Sequence, residues 1–140
     1  MKIMKRVVSY ITVVLCLYGT SFGDVLLIAN KSVKQTSFTK GDVNLIFLGK
    51  KKKWDDGQMI KTAVLKEGAT HEAFLNEFVD KTPAKFSSFW KLVIVSGTGY
   101  PPKSLGTEAD MIDYVSREEG AIGYISSSTP HDNVNVMEIK

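Results

Sequence analysis

Short apolar strands alternating with amphipathic helices predict an α/β fold, a single compact domain whose mostly parallel or mixed sheet is flanked by helices. Two runs carry the strand half of that expectation. Val25-Leu-Leu-Ile-Ala29 and Ala121-Ile-Gly-Tyr-Ile125 are continuous apolar stretches, the habit of strands covered on both faces. The helical half rests on three segments with apolar residues at helical spacing, opened by hydroxyl caps at Thr39, Thr82 and Thr107. Of the 140 residues, 44% are hydrophobic and 24% charged, which excludes a disordered, collagenous or disulfide-stapled chain.

The elements follow in order. Residues 1–23 read as a secretory signal peptide, cleaved after Gly23: Lys2, Lys5 and Arg6 precede an apolar run over 7–18, and Ser21-Phe22-Gly23 makes a small-residue exit. Twelve apolar-run residues span roughly 18 Å, short of a bilayer core of roughly 30 Å, although an uncleaved anchor is the alternative. Cys16 invites a lipoprotein reading, against which Leu15 occupies the place of a small residue. Cys16 is the sole cysteine, so a cleaved chain has no disulfide, thiol nucleophile or thiolate metal site.

After the strand at 25–29, residues 31–38 are polar and read as a loop. Thr39 and Asp42 form a capping-box-like pair for a helix that buries Val43, Ile46 and Phe47 and stops at Gly49. Asp56-Gly57 marks a turn into a strand over 58–65. Helices are expected over 70–80, with Phe74, Leu75, Phe78 and Val79 as a stripe, and over 83–95, with Pro83 at the first position and Phe86, Phe89, Trp90 and Val93 inward. Residues 97–102 are a Gly- and Pro-rich loop. Thr107 opens a helix over 108–118, Gly120 ends it, the strand 121–125 follows, and 134–139 is a candidate fourth strand.

Charge and motifs exclude several functions. With three of the 18 basic residues in the leader and no acid before Asp24, residues 24–140 carry 15 basic and 15 acidic side chains. That neutral body offers no nucleic-acid footprint. Gly97-Thr98-Gly99 is no dinucleotide fingerprint, because Pro102 holds the third glycine position and a helix precedes the loop. His71 and His131 are the only histidines and have no partner at metal-ligand spacing, so no metal site is expected. No nucleophile elbow is present, and Asp55-Asp56 sits in a turn where Asp is common for backbone reasons, so no catalytic residue, enzyme activity or cofactor is expected. The lysines at 50–53 read as a solvated loop, with anionic lipid as the alternative partner. The segment Gly68-Ala69-Thr70 is the one with a specific chemical prospect. It opens a helix, where unpaired N–H groups and a hydroxyl can hold a small anion, or where Thr70 simply caps.

The ordered set Ile46-Phe-Leu-Gly49, Trp54-Asp-Asp-Gly57, Phe74, Phe89-Trp90, Gly97-x-Gly99-x-Pro-Pro102 and Gly120-Ala-Ile-Gly-Tyr124 resembles the PstS-like phosphate-binding family. These are the extracytoplasmic solute receptors of phosphate ABC importers. The resemblance spans about residues 25–126 and implies the fold of one lobe of a type II periplasmic binding protein. It also implies a phosphate or related oxyanion ligand and an importer partner. Two departures stand out. The family places an Arg ahead of a Ser-Gly-Thr; here Thr70 matches, Gly68 and Ala69 replace Ser and Gly, and Lys66 is the substitute cation, without the bidentate fork of Arg and with Glu67 beside it. The chain also has about one lobe's worth of residues where the receptors have two.

Two functions follow. The first is an exported, periplasmic, non-enzymatic solute-binding-like protein that takes phosphate or another oxyanion at Lys66, Gly68, Ala69, Thr70 and His71, with no stable membrane span after cleavage. The second is an envelope interaction or accessory module that kept the fold and lost the ligand.

Overall fold

The computed structural model describes residues 24–140. The expected signal peptide, 1–23, and Cys16 lie outside the described residues. In chain order the elements are β1 (Val25–Ala29), β2 (Ser37–Phe38), α1 (Lys40–Phe47), β3 (Lys61–Leu65), α2 (Ala69–Phe74), α3 (Pro83–Ser96), β4 (Lys103–Leu105), α4 (Glu108–Arg117), β5 (Ala121–Ser126), β6 (Asn135–Val136) and β7 (Glu138–Ile139). Helix α2 continues without a break into a π-helical turn, Leu75–Val79, which Asp80 ends in the left-handed conformation.

Five strands form one sheet in the order β4-β3-β5-β1-β6, and β2 pairs with β7 in a two-stranded parallel ribbon. The main sheet is mixed. Strand β3 runs parallel to both β4 and β5, while β1 runs antiparallel to β5 and β6. The register sets Leu27 opposite Tyr124 and Ile28 opposite Gly123.

Alternation along β5 divides the core. Gly123 faces α4, where a Cβ would stand 2.5 Å from the Met111 sulfur, so this strand and helix approach as closely as only glycine permits. Tyr124 points to the other face and stacks on Phe74 at 3.8 Å between ring centroids. Phe47 from α1 meets Phe74 edge to face at 4.7 Å, completing an aromatic layer buried beneath α1 and α2. Asn30, just past β1, donates to the carbonyls of Val115 and Ser116 and so satisfies the end of α4.

All three hydroxyl caps form: Thr39 with Asp42 in a reciprocal box, Thr82 accepting from the Lys85 N–H and Thr107 from that of Asp110. Three expectations need correction. The 31–38 loop contains β2, whose pairing comes from the C-terminal tail. The strand expected over 58–65 begins at Lys61, preceded by a single bridge from Lys53 to Met59. The tail divides between two sheets rather than making one strand, with Met137 turning the chain between β6 and β7. Strand β4 was absent from the expectation because Lys103 and Ser104 are exposed and three residues carry no readable alternation.

Candidate functional site

The parallel strands β3 and β4 are neighbours, and each passes through a short turn into a helix. Their C-terminal ends, Leu65 and Leu105, therefore bring the starts of α2 and α4 together at one edge of the sheet, the place where open α/β sheets leave a crevice. The result is an open cavity of about 220 Å³ between Glu67, Gly68, Ala69 and Thr70 on one side and Gly106, Thr107 and Glu108 on the other. Gly68 precedes α2 at φ 109°, a conformation that a β-carbon would strain. No side chain caps α2, so its leading N–H groups are left for another acceptor, whereas in α4 Thr107 accepts from one of them, the Asp110 N–H.

Glu108 is the residue that the sequence reasoning missed. Its carboxylate accepts from the Thr70 hydroxyl at 3.2 Å, from the Thr129 hydroxyl at 2.8 Å and from the Ser126 N–H. Residues 70, 108, 126 and 129 are scattered along the chain and carry no shared motif, so only the fold assembles them. With Glu67, the cavity has two carboxylates on its lining and no cation among the described residues.

Lys66 and His71 stand elsewhere. Lys66, one residue beyond β3, and His71, within α2, line a neighbouring cavity of about 270 Å³ under α3. His71 is buried, with its Nδ1 2.5 Å from the Tyr124 hydroxyl. That hydroxyl also accepts from the Leu65 N–H at 2.9 Å, so it ties the histidine ring to the end of β3. Burial pushes the His71 pKa down and, in Tyr124, holds the phenol far above its ordinary value. The pair is neutral, and His71 is a core hydrogen-bonding residue. The five expected ligand residues thus divide: Gly68, Ala69 and Thr70 share one cavity, and Lys66 and His71 border the next, with Leu65 between the two.

The other motifs are occupied by the chain itself. Lys51 pairs with Asp55 at 3.3 Å and Lys52 reaches the Thr98 carbonyl at 3.4 Å, while Asp56 accepts from the Gln58 N–H within its turn. The second histidine, His131, has its Nδ1 2.7 Å from the Thr129 carbonyl.

The architecture is that of one lobe of a periplasmic solute-binding protein. Solved structures with this fold include a phosphate ABC transporter substrate-binding protein with bound phosphate from Clostridium perfringens, matched over 84% of this chain and 45% of its own at a TM-score of 0.66 and 20% identity. PstS from Borrelia burgdorferi matches over 84% of this chain and 47% of its own, at a TM-score of 0.65 and 13% identity. An ABC-type phosphate transport receptor from Vibrio cholerae matches over 84% and 46%, at 0.63 and 14%. The chain spans a little under half the length of each. No protein-family model matches the sequence, and no curated protein does. Among the described residues, no helix is long and apolar enough to cross a membrane.

Proposed function

We propose that this protein is an exported, non-enzymatic solute-binding module that takes a protonated oxyanion of the phosphate class at the cavity between α2 and α4. The observation that carries this reading is the convergence of two strand-to-helix turns on one polar cavity, with the first N–H groups of α2 uncapped. The phosphate receptors that share the fold support the ligand class.

Glu108 gives the reading its chemistry. A bare dianion beside Glu67 and Glu108 is repelled. Hydrogen phosphate carries an O–H that can be donated to a carboxylate, while sulfate at neutral pH has none. Oε2 of Glu108 accepts one bond, from Thr70, and keeps a lone pair for that donor. The α2 N–H groups then serve the other phosphate oxygens, while the Thr70 hydroxyl, whose single proton goes to Glu108, holds that carboxylate at the cavity.

Calorimetric titration of residues 24–140 with phosphate and sulfate tests the assignment. Phosphate-selective heat is expected, with Thr70→Ala weakening binding by about 1 kcal/mol, the worth of one neutral hydrogen bond. Glu108→Gln is expected to narrow the preference for phosphate over sulfate by roughly tenfold, one charged hydrogen bond's worth. Equal binding of both anions, or none at millimolar phosphate, overturns the reading; silence to both leaves the accessory module that kept the fold without the ligand.

The exported location rests on residues 1–23 and on the resemblance to extracytoplasmic receptors. N-terminal sequencing of the protein recovered from a secreting cell is expected to begin at Asp24. A chain that retains Met1 overturns cleavage.

A further inference from the structure

We infer that the outer face of α3, together with the lysine loop beside it, is a docking surface for an anionic phospholipid bilayer. Helix α3 buries one face through Phe86 and Trp90 and carries apolar side chains on the other as well. Leu92 and Val95 lie three positions apart and so share that outer face, where they are 72% and 85% exposed. Tyr100, in the loop that follows, is 94% exposed, and Gly99 beside it lies against Val93, which keeps that loop on the helix. A single exposed leucine is ordinary. Three large apolar side chains grouped at such exposure mark a contact surface.

Charge says what covers it. From Lys81 to Thr107 the chain holds four lysines and no acid. Lys91 stands one turn before Val95 and Lys85 two turns before Leu92, so both flank the apolar pair. Lys52 adds a cation from outside the helix: its ammonium reaches the Thr98 carbonyl at 3.4 Å and brings the loop 50–53 to the end of α3. The acids of that loop are engaged, Asp55 by Lys51 at 3.3 Å and Asp56 by its own turn. Lipid phosphates suit such a face. A second copy of it does not, because lysine would meet lysine with no acid to pair. Its apolar part is also small beside the roughly 20–30 residues a side of a stable protein interface. Apolar tips in the headgroup region, with lysine stems along them and ammonium groups at phosphate level, are the pattern of a helix that rests on a bilayer. The fold orients the result. The Lys52 carbonyl accepts from the Ile60 N–H at 3.0 Å, at the start of β3, whereas Glu67 and Glu108 stand beyond its far end at Leu65. Lysine loop and acidic cavity thus occupy opposite ends of β3, and the docking surface stands or falls independently of the oxyanion reading.

The test is sedimentation of residues 24–140, which hold the whole described core, with vesicles of phosphatidylcholine alone or mixed with phosphatidylglycerol. The apolar run 7–18 is left out because it would enter a bilayer by itself. At low salt, binding to the anionic vesicles is expected and none to phosphatidylcholine. Raising the salt to about 1 M, where the screening length falls to about 3 Å, is expected to release the protein. Lys52→Gln and Lys91→Gln are expected to weaken binding about fivefold each. Leu92→Ser and Val95→Ser are expected to weaken it about tenfold each through lost apolar burial, an effect that charge attraction alone would not produce. Val136→Ser, on the opposite edge strand β6, is the control and is expected to change nothing. All five side chains are exposed, so the variants keep the fold. Equal binding to both vesicles, no binding at low salt, or binding that Leu92→Ser and Val95→Ser leave intact overturns the inference. So does a dimer of the free protein that these two substitutions make monomeric, since a second copy would then cover the face.

Discussion

Gly120→Ala is expected to destabilise the domain by about 3 kcal/mol or more, the larger of two effects argued from the core. Gly120 has φ 78°, where an L side chain costs roughly 1–2 kcal/mol. Space adds to conformation: a Cβ there would lie 2.2 Å from the Met59 carbonyl oxygen, a backbone atom that cannot rotate aside. Moving that backbone disturbs a junction. The Gly120 carbonyl accepts from the Trp54 indole at 3.0 Å and from the Lys61 N–H at 3.1 Å, and its N–H donates to the Ser32 hydroxyl at 3.0 Å. Relief of such a clash typically costs about 1–3 kcal/mol more. Gly57→Ala is the control, because Gly57 also has positive φ, at 90°, but nothing lies within 4 Å of the added carbon. It is expected to lose only about 1 kcal/mol. Urea unfolding of the two variants decides: if they lose equal stability, the steric account fails.

Tyr124→Phe is expected to cost about 2–3 kcal/mol although it keeps the ring and its stack on Phe74. The reason lies at the C-terminal end of β3. The ladder between β3 and β5 covers Lys61 and Thr62 only, and further along the phenol hydroxyl supplies the acceptor for the Leu65 N–H. Without it a buried N–H is orphaned, a loss of about 1–3 kcal/mol, and His71 Nδ1 loses its hydrogen-bond partner as well. A linked pH effect accompanies this pair. Burial holds the folded-state pKa of His71 below its ordinary 6.5, so protonation favours the unfolded chain. Its contribution to stability is present above pH 6.5 and is lost as the pH falls below that value through the folded pKa. Unfolding curves of wild type and His71→Gln at pH 7.5 and 5.5 are expected to differ in their pH dependence in that sense. A variant with the same pH dependence as wild type would show that His71 titrates freely.

Local chemistry determined more of the fold than of the site. Apolar runs at 25–29 and 121–125 state burial on both faces whatever their neighbours, and hydroxyls at Thr39, Thr82 and Thr107 cap helices through bonds only three residues long. The same reach explains the failures. Strand β4 is three residues with two exposed, and β2 exists only because Ser37 and Phe38 find Glu138 and Ile139 about a hundred residues later. Nothing near either segment in sequence announces its partner.

The site divides along the same line. The residue types at 68–70 declared a helix start with Thr70 as its cap, but the helix begins at Ala69, so Thr70 lies inside it and no side chain caps it. What faces the start was decided by β3 and β4 lying parallel and adjacent, which carries Glu108 to Thr70 across 38 positions of sequence. The same packing turns Lys66 and His71 to the neighbouring cavity and buries His71 against Tyr124, 53 positions away. By itself, then, the sequence determined the α/β class, the three capped helices and a helix start near residue 70, because those depend on contacts within a turn or on the polarity of a run. The tertiary structure alone decided which charges meet at that opening, because electrostatics acts through space and chain neighbours at a strand end diverge to different faces.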